Sequence, residues 1–297
     1  MRILVTGAAG FIGQHVAILL KEHNHHLIGL DSQVPGESWK LWDELYQGDI
    51  TQPLSPSLVD LDAVIHLAAL ANPRQCDMSP GRAHLVNVHG TYNALELARK
   101  SGAHKFVFSS SAHVYGIPPQ SLPTSEDAPL QPQSCYTLTK ILGEELCRLY
   151  NESYNLSYTV LRLFNTYGPG QGPGYFVPDM ICKAKQGHIE LAGANTTKDF
   201  VYVEDVAQAF VKALNVSYPG TFNIGSGQEY TLGDVATQIM GQFEGHLSCT
   251  NTPNATRMRA DTSLARDVLR WQPTVSLKEG LDRACKAASE RPVAAQP

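Results

Sequence analysis

The sequence predicts an α/β protein: a doubly wound parallel sheet followed by a smaller, mixed α/β C-terminal lobe. Three observations carry that prediction. Residues 2–20 read as a strand, a glycine-rich turn and a helix. Short apolar runs and runs of helical period then alternate as far as residue 164. After Asn165 the alternation gives way to glycine–proline clusters and short segments. Alternation of this kind is the signature of βα units, whose parallel strands are covered on both faces.

The first unit organises the rest. Arg2-Ile3-Leu4-Val5-Thr6 is a buried strand in pattern, and Gly7-Ala8-Ala9-Gly10-Phe11-Ile12-Gly13 is the turn that follows it. Residues 11–20 have a helix's apolar period. The free N–H groups of a first helical turn, with the positive end of the helix dipole, attract an anion. Gly7 permits the tight turn, Gly10 admits a pyrophosphate close to the backbone, and Gly13 lets the helix pack on the strand. His26-Leu27-Ile28-Gly29-Leu30-Asp31 is a second strand, ending in a carboxylate 18 residues after Gly13. A carboxylate there accepts from both hydroxyls of an adenosine ribose and repels a 2′-phosphate. Ser32 and Gln33 follow, with no Arg to hold such a phosphate. The cofactor expected is therefore NAD rather than NADP. A glycine turn serving packing alone, beside a surface Asp, is the competing reading; strand, turn, helix, strand and acid falling in order weigh against it.

The remaining elements follow from pattern. A polar loop holds Pro35 and Gly36, and Tyr46-Gln47-Gly48-Asp49-Ile50 reads as a short strand. Pro53 and Pro56 break the next stretch. Residues 63–69 are a continuous apolar run, as expected of a central parallel strand, and its small residues Ala68 and Ala69 suit close passage of a cofactor. Residues 82–100 are helical in period and Gly102 stops them. Lys105-Phe106-Val107-Phe108 is the next strand, ending in Ser109-Ser110-Ser111. Prolines 118, 119, 123, 129 and 132 mark a long loop; residues 136–151 read as a helix and 157–164 as a strand. In the last third, residues 277–289 close the chain as a helix, and the tail from Pro292 is expected to fray. Ligands of doubly wound sheets sit beyond the C-terminal strand ends, so this irregular third is the expected lid.

Composition sets the outer limits. A chain of 297 residues with 43% apolar and 17% charged residues has the make-up of a globular enzyme. A formal charge of −5 gives no footprint for nucleic acid. Met1 runs into the first strand without a charged lead and apolar core, and no apolar run reaches membrane-spanning length. The six cysteines are scattered, without a C-x-x-C pair, which points to reduced thiols in a cytoplasmic protein rather than disulfides or zinc. His23, His25 and His26 read as a solvated helix end, not a metal site; no metal is expected.

Tyr136 and Lys140 stand four apart on a predicted helix and share one face. A nearby ammonium and the positive ring of an oxidised nicotinamide both favour a phenolate, which can then act as a general base. Ser111, at a strand end, can bridge a substrate oxygen and that phenol. The Tyr-x-x-x-Lys spacing means little alone; the preceding strand order and triple serine give it weight.

At this point the chain resembles the extended short-chain dehydrogenase/reductase family. The motifs are Thr6 to Gly13, Asp31, Asp49-Ile50, His66-Leu67-Ala68-Ala69, Asn87, Ser109-Ser110-Ser111-Ala112-His113-Val114-Tyr115-Gly116, Tyr136-Thr137-Leu138-Thr139-Lys140, Arg162 to Pro169, Lys198 to Val206 and Phe222-Asn223-Ile224-Gly225. Within the family it is most similar to NAD-dependent nucleotide-sugar epimerases of the UDP-glucose 4-epimerase type. The resemblance implies a Rossmann-type domain over residues 1–165 and a mainly substrate-binding lobe over 166–297, with some segments returning to the first domain. It implies Ser111, Tyr136 and Lys140 as catalytic. It places Gly7, Ala9, Gly10, Phe11, Ile12, Gly13, Asp31 and Ser32 at the cofactor, with Asp49 and Ile50 bordering the adenine. Leu67, Ala68 and Ala69 would line the pyrophosphate and nicotinamide side, and Asn87, Ser109, Tyr136, Lys140 and Phe164 complete the cofactor set. Ser111, His113, Asn165, Val177, Lys198 and Arg257 would meet a nucleotide-sugar substrate. A homodimer is implied too, its subunits pairing through the helices at 82–100 and 136–151.

The implied reaction is epimerisation at C4 through a transient 4-keto sugar, with hydride passing to NAD and back. The same residues serve an NAD(H)-dependent 4-ketoreductase of a deoxysugar nucleotide, and a non-catalytic NAD-binding regulator is a third reading. Relatives that dehydrate or decarboxylate the sugar carry an acid where this chain has Ala112-His113, so those activities are not expected. His113 is either an acid/base in its own right or a spacer whose ring packs. The chain also departs from the family pattern. The usual Pro before the catalytic Tyr is Cys135, the usual Arg at the head of the Asp-Phe-Val segment is Lys198, and a second diphosphate-clamping Arg falls at Asn251. Arg257 and Arg259 are the candidate substitutes, and Met258 falls beside the sugar wall.

Overall fold

The first strand, β1 (Arg2–Thr6), divides the core in two. Ile3 and Val5 point to one side of it and Leu4 to the other, the period-two alternation of a strand buried on both faces. The computed structural model describes residues 1–33, 40–54, 58–217 and 219–290. The expected loop at Pro35 and Gly36, the break at Pro56 and the frayed tail from Pro292 lie outside these residues.

After the glycine turn come α1 (Phe11–Glu22), β2 (His26–Asp31), β3 (Glu44–Gln47) and β4 (Ala63–His66). They are followed by α2 (Pro73–Met78), α3 (Pro80–His84), a π-turn at Leu85–His89, and α4 (Gly90–Lys100). The half closes with β5 (Lys105–Ser111), α5 (Cys135–Tyr154) and β6 (Ser157–Leu163). The last third adds β7 (Asn165–Tyr167), α6 (Phe176–Lys185), β8 (His188–Ala192), β9 (Thr197–Lys198), β10 (Phe200–Tyr202), α7 (Val203–Ala213) and β11 (Gly220–Ile224). It ends with β12 (Tyr230–Thr231), α8 (Leu232–Met240), β13 (His246–Thr250), α9 (Ser263–Val268) and α10 (Leu277–Glu290).

Seven strands form one parallel sheet in the order β11-β6-β5-β4-β1-β2-β3. One face is covered by α1 and α7, which bring Val16, Leu20, Val206 and Phe210 onto Ile3, Ile65 and Val107. The other is covered by α4 and α5, with Leu95, Ala98, Cys147 and Tyr150 against Leu4, Val64 and Phe106. The chain reverses direction across the sheet between β1 and β4, and a crevice opens there at the C-terminal strand ends. The last third contributes β11 and α7 to this body, while α6, α8, α10 and three two-stranded ribbons enclose a separate apolar cluster.

Sequence and structure differ at four places. The strand expected at 46–50 lies at 44–47, because Gly48 N–H bonds the Asp31 carbonyl and Asp49 turns to accept the Thr51 N–H. The apolar run 63–69 is strand only to His66. The helix expected at 82–100 begins at Pro80 and is interrupted by the π-turn. Helix α2 was not legible as a helix; Asn72 caps it through the Arg74 and Gln75 N–H groups, with Pro73 at its first position.

Candidate functional site

A cavity of about 1430 Å³ occupies the crevice and runs from the glycine turn to the C-terminal lobe. Its floor is the turn after β1. Gly7 takes φ +73, and a Cβ there would lie 2.8 Å from the Ala68 amide nitrogen. A Cβ at Gly13 would lie 2.3 Å from the Gly7 carbonyl oxygen, so only glycine lets α1 start this close to the strand. The N-cap of α1, Gly10, has no side chain to engage the first-turn N–H groups, and the first turn carries no acid. Those donors face the cavity side and suit a pyrophosphate. The Asp31 carboxylate accepts the Ala9 N–H at 2.9 Å and the Gln33 N–H at 2.9 Å, which fixes it at the cavity rim beside Ser32. This donor set and single carboxylate fit a dinucleotide with a free ribose diol, as expected for NAD.

Ala9, Phe11, Ile12, Asp49, Ile50, Leu67, Ala68, Ala69, Ser109 and Phe164 line the same cavity. Asn87 does not; it is buried behind the wall. Its carboxamide accepts the Leu70 N–H at 2.7 Å and donates to the Leu70 carbonyl and Thr139 Oγ1, tying the 67–70 segment to α5. A second tie runs under the floor. Thr6 Oγ1 accepts the Ala68 N–H at 3.2 Å and lies 2.7 Å from His66 Nδ1. His66 Nε2 lies 3.0 Å from Thr91 Oγ1, whose proton is given to the Asn87 carbonyl. That commitment sets the tautomer: Nε2 donates to Thr91 and Nδ1 accepts from Thr6. Burial holds His66 at about 3, so it is a neutral structural link.

Ser111, Tyr136 and Lys140 converge on the cavity. Ser111 ends β5, and its Oγ accepts the His113 N–H at 3.2 Å, leaving the hydroxyl proton to donate. Tyr136 and Lys140 lie a turn apart near the start of α5, which is fixed by a capping box between Ser134 and Thr137. Lys140 Nζ donates to the Ser109 carbonyl at 2.7 Å and sits 5.9 Å from the Tyr136 ring centroid. Burial brings the Lys140 pKa down to about 8. Burial also pushes the Tyr136 phenol well above its ordinary value, while the facing Ser111 hydroxyl acts the other way. The expectation that Lys140 and a bound oxidised nicotinamide together lower the phenol concerns the cofactor-bound site; in the protein by itself burial raises it. A cation placed against the phenol has to supply the difference.

His113 lines the cavity with its ring edge-on to Tyr136, centroids 6.4 Å apart. Burial, then the Lys198 ammonium, lower it to about 4, so it is neutral near pH 7 and packs as a spacer. Asn165, Val177, Lys198 and Met258 form the opposite wall. Asn165 Nδ2 donates to the Asp199 carbonyl at 3.0 Å, leaving its own carbonyl for a ligand. Asp199 is fully buried and accepts from Ser226, Gly227 and Ala260, drawing three loops together behind that wall.

Arg257 is not part of this wall. It points to the surface, bidentate to Glu229 at 2.9 and 2.6 Å, because the nearby carboxylate offers a ready fork acceptor. Arg259 is absent from the cavity as well. Lys198 is the cation the lobe contributes. Sequence reasoning missed Arg74 and Arg82, which border the cavity from α2 and α3. Arg82 opens the helix expected at 82–100 with no role assigned to it, and for Arg74 the signal is the Asn72-Pro73 start of a short helix, in a stretch where the sequence predicts no element.

Residues 3–225 match the model of the NAD dependent epimerase/dehydratase family. A putative UDP-glucose 4-epimerase of Methanocaldococcus jannaschii is 36% identical over 297 residues, covering 95% of this chain and 96% of the relative. UDP-glucuronic acid decarboxylase 3 of Arabidopsis thaliana is 33% identical over 303 residues, covering 95% of this chain and 87% of the relative. The crystal structure of a UDP-glucose 4-epimerase with UDP-glucose from Thermotoga maritima superposes with a TM-score of 0.90 at 31% identity, covering 98% of this chain and 99% of that one.

Proposed function

The chain belongs to the NAD-dependent epimerase/dehydratase family, and from that premise we propose that it is a nucleoside-diphosphate-sugar 4-epimerase. The observation that carries this reading is a cavity that joins a glycine-turn cofactor floor to Ser111, Tyr136 and Lys140, with no carboxylate following the serine. Relatives of similar identity include a UDP-glucuronic acid decarboxylase. Ala112-His113 argues against that chemistry here: His113 is held neutral, and no acid stands beside it to serve a second step.

Residues 7–13 and Asp31 would hold NAD, which would supply reversible oxidation at C4. The chain's residues handle the proton and the fit. Tyr136 takes the proton from the sugar 4-hydroxyl and returns it. Ser111 donates to the same oxygen in both directions. Lys140 stays near the phenol as an ammonium below about pH 8 and is free to hold the nicotinamide ribose. Asn165 and Lys198 hold the nucleotide end, while the cavity leaves the 4-keto sugar room to turn over. Residues 1–165 carry cofactor and catalysis; 166–297 mainly carry the substrate wall and return β11 and α7 to the first body.

The finer assignments are a homodimer and a cytoplasmic location. Leu85, Tyr92, Leu138, Leu149 and Tyr154 are large apolar side chains exposed on the π-turn, α4 and α5, as an isologous helix interface needs. Six free cysteines suit a reducing compartment, and among the described residues no helix is long and apolar enough to cross a membrane.

The test is proton NMR of the purified protein with UDP-, dTDP-, CDP- and GDP-sugars and no added cofactor. A new anomeric signal that grows to a fixed ratio at catalytic protein concentration is expected. Sugars left unchanged by protein that carries bound NAD would overturn the epimerase reading. Consumption of added NADH in proportion to product would establish the ketoreductase instead.

A further inference from the structure

Position 135 opens α5, and this chain has cysteine there. Proline suits the first position of a helix because the N–H it lacks would have no intrahelical partner. Cysteine restores that N–H. The fold meets it from outside the helix: Cys135 N–H donates to Asp77 Oδ1 at 3.0 Å, across 58 residues of sequence. Asp77 lies in α2, so its carboxylate also sits at the positive end of the catalytic helix.

The neighbours of Asp77 make this more than a cap. Cys76 is fully buried and packs in one cluster with Tyr136, Ala83, Leu70 and Cys135. Its thiol donates to the Leu70 carbonyl at 3.2 Å, at the end of the segment that lines the cofactor side. Helix α2 thus meets the catalytic tyrosine twice, through the ring by Cys76 and through the preceding backbone by Asp77. Its other end reaches the substrate lobe, where Asn72 lies against Gly174. The capping box of Ser134 and Thr137 satisfies the Thr137 N–H but leaves the first position to Asp77.

We propose that Asp77 is a positioning residue for catalysis: by accepting the Cys135 N–H it fixes the first turn of α5, and with it the Tyr136 phenol, against Cys76. The inference rests on Tyr136 being the proton carrier. It predicts that losing the acceptor costs turnover rather than substrate binding. It also predicts that the Asp77 requirement vanishes when proline occupies position 135.

Four proteins test it: Asp77→Ala, Asp77→Asn, Cys135→Pro and the double variant Asp77→Ala/Cys135→Pro. Asp77→Ala is expected to lower kcat about tenfold, the scale of one hydrogen bond to a charged acceptor, with KM within about twofold. Asp77→Asn keeps an acceptor oxygen and should recover most of that loss. Cys135→Pro should keep most of the turnover, and adding Asp77→Ala to it should cost nothing further. Amide hydrogen exchange over residues 136–138 is read on the same proteins and does not depend on the reaction. It should quicken about tenfold in Asp77→Ala and stay near wild type in Asp77→Asn. Unchanged exchange and kcat in Asp77→Ala would overturn the proposal, as would an equal Asp77→Ala loss in the Cys135→Pro background. Quickened exchange with no effect on turnover would refute the catalytic role and leave only a cap. If no sugar nucleotide is turned over by wild type, the epimerase reading fails while the exchange data still judge the contact.

Discussion

The two ends of the cavity are made differently. The cofactor end is backbone: a turn of residues 7–13, one carboxylate and the small residues 67–69. All of it lies within a few residues of a strand terminus, so the strands place it. The substrate end is side chain: Asn165, Val177, Lys198 and Met258 come from four separate segments, and the buried Asp199, next to Lys198, ties the Asn165 strand to the 226–227 and 260 loops. A backbone site tolerates little change where a Cβ would clash, and it admits one kind of ligand. A side-chain wall can exchange one cation for another and keep its fold.

Substitutions at each end, and at the catalytic group between them, would break or sharpen that contrast. The largest effect belongs to Tyr136→Phe, which keeps the ring packing and removes the proton carrier. Its kcat should fall by about 10²–10⁴ with bound NAD retained; near wild-type turnover would refute the assigned role. Next comes the cofactor end. Asp31→Ala removes both the proposed ribose acceptor and the partner of the Ala9 N–H, so NAD affinity should weaken about 10–100-fold by titration calorimetry. Unchanged affinity would mean that the turn alone holds the cofactor.

At the substrate end the effects are smaller and split by residue. Lys198→Ala should raise KM about tenfold while kcat holds, since a point charge binds ground and transition states alike. Arg257→Ala should leave KM within about twofold, because its guanidinium is engaged by Glu229 at the surface. If Arg257→Ala matched Lys198→Ala, the wall would have to close differently around its substrate.

The smallest effect is one of acid stability, and it separates the two ends through their histidines. Folded His66 and His113 titrate at about 3 and about 4, both below the ordinary 6.5, because burial disfavours the imidazolium. As pH falls through 6.5 the unfolded chain takes up these protons and the folded chain does not. Their contribution is thus fully present above pH 6.5 and is lost progressively down to about pH 4 for His113 and about pH 3 for His66. Tm should fall across that window by roughly ten degrees for each histidine, at about 1.4 kcal/mol per pKa unit and about 2–4 °C per kcal/mol. His113→Asn should remove its share of the slope and leave that of His66. The same variant should keep its activity profile between pH 6 and 8, as befits a spacer rather than an acid/base.

The sequence alone determined what is local. Strand, turn, helix and strand over residues 2–31 follow from apolar period and from glycines that no other residue can replace. So the parallel, doubly wound sheet, the NAD floor and the Tyr136–Lys140 face were legible, while the order of the strands in the sheet was not predicted. Long-range placement was not. Arg257 lies one residue from Met258 in the chain, yet only Met258 reaches the cavity; Glu229, 28 residues away, decides that. Asn87 holds the cofactor wall from behind rather than lining it. Helix α2 is too short for a period to be read, and its value lies in contacts with α5 that no spacing reveals. The phenol's high pKa is likewise a product of burial, a property of the packed molecule and not of a Tyr-x-x-x-Lys spacing. Backbone conformation is written in neighbouring residues; desolvation and side-chain partnership are set only when distant segments meet.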